Sequence, residues 1–588
     1  MSAAQRDSST QRTEPSVLVE ADEALIERGG NEREPLLRPS SRPELNQSSP
    51  PGLLVLIGPA LLAGIIVKAF DIAFLSTSYS RIDFATDLPA IASELKHFKD
   101  ASWIQLTASI CSAIFVPLYS YSLKSFGMRR MMFVAYSAFA LGTALCSMSS
   151  TFLQLLCSRF VLGLGSSGIT LLSMIIINDI VGVKQLAIWE SFVTCVEMAT
   201  SMTAGPLGAW MNRWFTWHSV FYLEFTLTML GLCILYASFA KISSYPEYWD
   251  SLLLKEGNTK LPRIDIKGWF LLILAVTVPL IALTLGDNFF DWTHPAEICL
   301  LVAGPVLICA FVLFEARAST NPIMNMAPIF QPRYLRVLFQ VFGVILILNS
   351  IVFIIPPYIQ VRAFKVESFE DWALTCVFLG FPAGAIFGGY LVKTGRIPVQ
   401  RIMLANAVLL QCFCLLFLTR VIKPESAKHA PFLVCFGICT GIWQSCLLFA
   451  TLSSTDKQWW PQTLALYYLV ETFGGDLGMA LMATITRAVA KAGIRSSLGE
   501  SEAMEKIIVD AMKDLESVGR LDERSAKAVL ASFESAMHSS FFLPCSMALG
   551  VILLAGGMNI WPPMSDYEEL RTEQSECGHE SHSTRRIT

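Results

Sequence analysis

Ionisable side chains are scarce inside the long apolar runs of this chain, and those few are where chemistry could reside. Lys68 and Asp71 stand three apart in one run, Arg159 precedes Gly163, Gly165 and Gly168 in another, and Glu190 and Glu197 are seven apart in a third. Glu224 is alone in its run, while Glu471 and Asp476 are five apart in a late one. At helix depth in lipid an ionisable group is expensive and is kept where it meets a cavity or a partner. A carboxyl in a low-dielectric cavity titrates closer to neutrality, so proton loading and release can alternate. Helical periodicity puts Glu190 and Glu197 on one face, whereas Glu471 and Asp476 diverge by more than a quarter turn. Asp71 lies about 27 Å along a helix that begins at Leu53. Lys68, one turn earlier, is its nearest partner in sequence, and pairing would lower the cost of burying either. Glu190 and Asp179, close to the ends of their runs, read as boundary residues. The candidate proton-carrying acids are Asp71, Glu190, Glu197, Glu224, Glu471 and Asp476, and an acidic cavity of this kind suits a cationic solute.

Composition defines the solvent of the elements that carry these residues. Over 588 residues, 53% are hydrophobic and 16% charged, with a mean hydropathy of +0.51, more apolar material than a soluble core of this length holds. It comes in runs of about twenty residues, each long enough to cross a bilayer. A net charge of −4 excludes the strongly basic face of a nucleic-acid partner. The 15 cysteines sit mostly singly in apolar runs, and Cys412 and Cys414 have the wrong spacing for a zinc knuckle, so they read as small hydrophobes and no metal site is expected. No phosphate-binding Gly-rich loop and no His-Glu-x-x-His motif is present, so neither an enzyme nor a cofactor is expected.

Residues 1–50, rich in Glu, Arg, Ser and Pro, are expected to form a disordered tail with no cleavable signal ahead of the first span. Six spans fill 51–240, a polar linker 241–267 follows, two additional spans occupy 268–316, and six more fill 317–562, with a tail at 563–588. Basic loops at 124–130, 241–267, 317–336 and 393–401 fall on the side of both tails, which the positive-inside rule makes cytosolic. The long loop 491–538 on the other side carries helical periodicity around Met504 to Leu515 and Ala526 to Met537, with a helix-start box at Ser497 and Glu500. It is expected to be two short amphipathic helices that either cap the exit or lie on the membrane surface, with the surface placement favoured.

Four motifs resemble the major facilitator superfamily, and within it the fourteen-span drug:proton antiporter family. Asp71 to Ile82 is similar to a first-span element of the fungal branch that includes vacuolar basic amino acid transporters. Arg159 to Gly168 resembles the fourth-span arginine motif, Gly205-Pro206-Leu207-Gly208, read as a Gly-Pro kink that ends its helix, resembles the fifth-span antiporter motif, and Gly389 to Arg396, with Gly395, a loop motif of the second half. Gly127, Arg129 and Arg130 match the loop after the second span, but Lys124 stands where the family carries an aspartate latch, and Trp217-His218 replaces a Trp-Arg pair. His218 is weighted as a packing residue over a titrating one.

The resemblance implies an all-α integral membrane protein: two six-helix halves with two additional helices between them, fourteen transmembrane helices in all, around a mid-membrane cavity. It implies a monomeric, proton-coupled antiporter-like carrier of a small molecule, with basic amino acids at the vacuolar membrane set against drug or toxin export at the plasma membrane, and against a transporter-shaped nutrient sensor. The family often has acids in its first and thirteenth spans and its arginine motif is implicated in proton handling, so the set expected to bind protons or substrate is Asp71, Arg159, Glu197, Glu471 and Asp476. Glu32, Leu36 and Leu37 resemble an acidic dileucine sorting signal and Tyr567 with Leu570 a tyrosine-based one, which would engage sorting adaptors.

Overall fold

Hydrocarbon offers no water to satisfy peptide groups, so a spanning segment must close its hydrogen bonds internally and an apolar run of this length becomes a helix. The computed structural model describes residues 52–77, 95, 102–181, 183–244, 265–286, 294–317, 322–324, 326, 330–363, 372–422, 427–455, 459–498 and 523–556. The sorting residues Glu32, Leu36, Leu37, Tyr567 and Leu570, together with 78–82 of the first-span motif, lie outside them. Fifteen α-helices and no strand occur among the described residues. The first half contains α1 (Gly52–Thr77), α2 (Ser102–Phe126), α3 (Met128–Ser147), α4 (Phe152–Val181), α5 (Val183–Trp214) and α6 (His218–Ser243). Then come α7 (Ile266–Leu285) and α8 (Pro295–Arg317). The second half contains α9 (Pro332–Ala363), α10 (Trp372–Thr394), α11 (Val399–Leu418), α12 (Ala430–Ser453), α13 (Trp460–Leu498), α14 (Glu523–Ser540) and α15 (Phe542–Gly556).

Among the described residues, 13 segments are long and apolar enough to span, α14 and α15 forming one of them. The fourteenth, α5, has 32 residues but carries Glu190 and Glu197, which dilute its hydropathy. The two halves repeat one packing scheme: α1 on α5 matches α9 on α13, α2 on α4 matches α10 on α12, and α3 on α6 matches α11 on α15. The halves meet where α5 packs on α10 and α12, and where α2 packs on α13. The α7–α8 pair leans on α2, α9 and α13 through Leu272, Ala275, Leu280 and Phe311, while the outer face of α8 (Val302, Val306) remains exposed, as befits a lipid-facing surface.

Glycine decides how closely these helices approach. Gly380, Gly384 and Gly388 of α10 lie against the backbone of Val434, Ile438 and Ile442 of α12, Gly437 and Gly441 of α12 lie against the backbone of α10 in turn, and a Cβ on Gly384 would stand 2.0 Å from the Ile438 carbonyl oxygen. Such small-residue stripes replace the hydrophobic driving force that lipid cannot supply. At two turns glycine is required by conformation: Gly127 between α2 and α3 has φ 79°, and Gly395 after α10 has φ 62°. These are equivalent loops of the two halves, and both sit in the left-handed region that penalises a Cβ.

Three expectations are corrected. The Gly205-Pro206 pair does not end its helix, since α5 runs on through Gly208 to Trp214. Ser497 starts no helix; it lies in the last turn of α13, its hydroxyl donating to the Gly493 carbonyl at 2.9 Å. The second loop helix, α14, does not lie on the membrane surface: it packs on α13 and α9 and buries Val529, Phe533 and Met537 in the core. Its apolar stripe finds a protein groove, which gains the close contacts that a lipid surface cannot provide. The first loop helix, expected within 499–522, falls outside the described residues.

Candidate functional site

A cavity of about 130 Å³ lies between the halves. One water needs about 10–15 Å³ on such a measure, so there is room for several waters or a small solute. Its wall takes Ile65 and Lys68 from α1, Ser112 and Val116 from α2, Thr170, Ser173 and Met174 from α4, and Glu190, Val193 and Glu197 from α5. The second half adds Gln444 from α12 and Tyr468, Glu471 and Thr472 from α13. The carboxylates thus come from α5 and α13, the equivalent helices of the two halves. Gln444 Nε2 donates to Glu471 Oε1 at 2.9 Å and fixes that side chain.

Glu197 and Glu471 both stand in this wall, while two expectations need correction. Glu190 is not a boundary residue: it is 5% exposed and lines the cavity beside Glu197, the two sharing the face their spacing defines. Lys68 does not pair with Asp71. Asp71 is 2% exposed, outside the cavity wall, and accepts a hydrogen bond from Nη1 of Arg159, which has no exposure at all. Arg159 Nε donates to the Ile104 carbonyl at 3.2 Å and Nη2 to Gln105 Oε1 at 3.5 Å. A guanidinium offers five donors in a planar fork, against one flexible ammonium, and so suits a buried acid better than Lys68 does. Glu224 of α6 joins this second cluster: it is fully buried, interacts electrostatically with Asp71 and Arg159, and neither carboxylate oxygen has a hydrogen-bond partner among the described residues.

Asp476 belongs to neither cluster; it is buried against α2, where Ser109 hydrogen-bonds its carboxylate. The five expected site residues are therefore split, with Glu197 and Glu471 in the cavity, Asp71 and Arg159 in the neighbouring cluster, and Asp476 apart. Sequence reasoning missed Glu190, Gln444 and Tyr468. The available signals were the shared face of Glu190 with Glu197, and a lone glutamine inside the otherwise apolar α12.

The motif residues line the seams. A Cβ on Gly163 would stand 2.5 Å from the Ala108 carbonyl oxygen of α2, and one on Gly389 2.6 Å from the Ala187 carbonyl oxygen of α5. Beside Gly389, Ser191 Oγ donates to the Ala385 carbonyl at 2.6 Å, and Ser445 Oγ to the same carbonyl at 2.9 Å. The Ser191 bond ties the two halves together one residue from Glu190, while the Ser445 bond joins α12 to α10 within the second half. At the other inter-half contact Lys124 stands over the Trp459 ring at 5.7 Å, so the residue replacing the aspartate latch makes a cation–π contact across the seam. Arg129 and Arg130 are exposed, Arg129 lying 5.8 Å from the Phe239 ring, and Arg396 is exposed after α10. His218 packs as expected: it stacks on Trp217 with ring centroids 3.7 Å apart, and its Nε2 lies 3.0 Å from the Ser149 carbonyl.

Two repeated helical halves around a polar cavity at their interface define a secondary membrane transporter. Residues 61–479 match the family described as Major Facilitator Superfamily, and the chain belongs to it. Its members are transporters, not enzymes. The chain is 24% identical over 487 residues to the vacuolar membrane amino acid uptake transporter fnx2 of Schizosaccharomyces pombe, covering 82% of this chain and 80% of that one. It is 25% identical over 498 residues to the multidrug resistance protein fnx1 of the same yeast, covering 83% and 90%. In fold it resembles a crystal structure of the peptide transporter POT, with TM-score 0.53 and 14% identity, over 86% of this chain and 94% of that one.

Proposed function

We propose that the protein is a proton-coupled carrier of small organic cations, basic amino acids foremost, across the vacuolar membrane. One observation carries this reading: Glu190, Glu197 and Glu471 converge from both halves on one small cavity. Three carboxylates share this cavity with a single lysine, Lys68, and an excess of negative charge in a low-dielectric site is costly, so the site favours a cationic solute over a neutral or anionic one. Tyr468, on the same wall, adds an aromatic group of the kind that can attract an ammonium or guanidinium. Contact with acids of both halves couples occupancy to their relative movement, because closure improves contacts that only the loaded cavity makes.

The proton is assigned to the neighbouring cluster. Arg159 can balance one of Asp71 and Glu224; the second acid, without a hydrogen-bond partner among the described residues, is carried neutral and is the proton-bearing group in this reading. Proton exchange there would alter the Arg159 contacts to Ile104 and Gln105, and so the packing of α4 on α2. Apolar side chains in the cavity wall (Ile65, Val116, Met174, Val193) support a second reading, extrusion of an amphipathic organic cation.

Uptake of labelled lysine, arginine and histidine into isolated vacuolar vesicles, with and without an uncoupler, is the test. Uncoupler-sensitive flux is expected. Binding without any such flux would instead favour a nutrient sensor, and efflux of drugs without lysine movement the second reading.

A further inference from the structure

Among the described residues, Lys68 is the one basic side chain lining the cavity that Glu190, Glu197 and Glu471 also line. Its neighbour in sequence, Asp71, is committed to Arg159. Lys68 itself forms no ion pair or hydrogen bond among the described residues, although its ammonium acts electrostatically on both Glu190 and Glu471. A lysine kept in a low-dielectric wall without a fixed partner is costly unless its charge is used there.

We propose that Lys68 is a tethered counter-ion that occupies the place of the substrate cation when the cavity is empty. The inference rests on the cation-carrier reading above. A carrier that catalyses net transport must reorient both loaded and empty. Loaded, the acids are balanced by the substrate. Empty, the acids of α5 and α13 repel one another, and bringing the halves together concentrates that repulsion in a region of low dielectric. The four-carbon stem of lysine lets the ammonium swing toward the acids when no solute is present and withdraw when one enters. The residue is thus a positioning group that sets the ratio of net transport to exchange. It is not the group that selects the substrate.

The experiment compares two transport modes of the full-length protein in vesicles, each normalised to protein abundance. Net uptake of labelled lysine requires the empty carrier to return, whereas exchange into vesicles preloaded with unlabelled lysine has both legs loaded. Lys68→Met is expected to lower the ratio of net uptake to exchange about tenfold, whatever its effect on exchange itself, because only the empty return loses its counter-ion. Lys68→Gln should behave alike, which guards against a defect peculiar to methionine, and Lys68→Arg should restore net uptake. Equal loss of both modes, or no change in either, overturns the counter-ion role while leaving the carrier reading intact. If the parent protein moves no cationic amino acid in either mode, both readings fall together.

Discussion

Arg159→Met tests the electrostatic centre of the first half, because it removes the only positive charge of a fully buried cluster. Arg159 makes three side-chain hydrogen bonds, to Asp71, to the Ile104 carbonyl at 3.2 Å and to Gln105 at 3.5 Å, and Glu224 lies beside it. Removing one partner of a buried pair and leaving the other charge unbalanced costs about 3–5 kcal/mol, or roughly two to three and a half decades in the folding equilibrium. Replacing both partners by neutral groups is close to neutral by the same reasoning, so Arg159→Met with Asp71→Asn should recover most of the loss. Asp71→Asn alone should fall at the low end of that range, since Glu224 is at hand to balance the guanidinium. The assay is the fraction of detergent-solubilised, tagged protein that stays monodisperse after heating. Lys68→Met supplies the control: it should not rescue Asp71→Asn, although Lys68 is the acid's neighbour in sequence. Rescue by Lys68→Met, or an Arg159→Met protein as stable as the parent, would refute the pairing.

Other outcomes follow from single contacts. Gly384→Val should abolish accumulation of folded protein, because its Cβ would meet the Ile438 carbonyl at 2.0 Å, whereas Gly58→Ala, with nothing within 4 Å, should be neutral or stabilising by up to about 1 kcal/mol in a heating assay. Gln444→Leu removes the 2.9 Å donor to Glu471 and should raise the KM for a cationic substrate several-fold with little change in abundance. Replacing Leu36 and Leu37 by alanine should send a tagged protein to the cell surface, and unchanged vacuolar staining would remove the dileucine argument. Cysteines introduced in the 245–264 segment should be labelled only from the cytosol, and labelling from the other side would overturn the topology.

The spans and their order were legible from sequence alone, because a bilayer imposes one length and one kind of backbone pairing on whatever crosses it. The rarity of charge in those spans made Asp71, Arg159, Glu197 and Glu471 visible for the same reason. Which of them meet was decided only by the tertiary structure. Helical periodicity tells that Glu190 and Glu197 share a face, yet not toward which neighbour that face is turned. In a soluble helix an apolar stripe would reveal it, but here lipid and protein interior are equally apolar and the contrast disappears. So Asp71 meets Arg159, 88 residues away, and leaves Lys68 to the cavity, while Glu190 moves from an expected boundary into the site. The docking of α14 was hidden for a related reason: its amphipathic stripe would suit a membrane surface equally well, and only the groove beside α13 and α9 chooses between them.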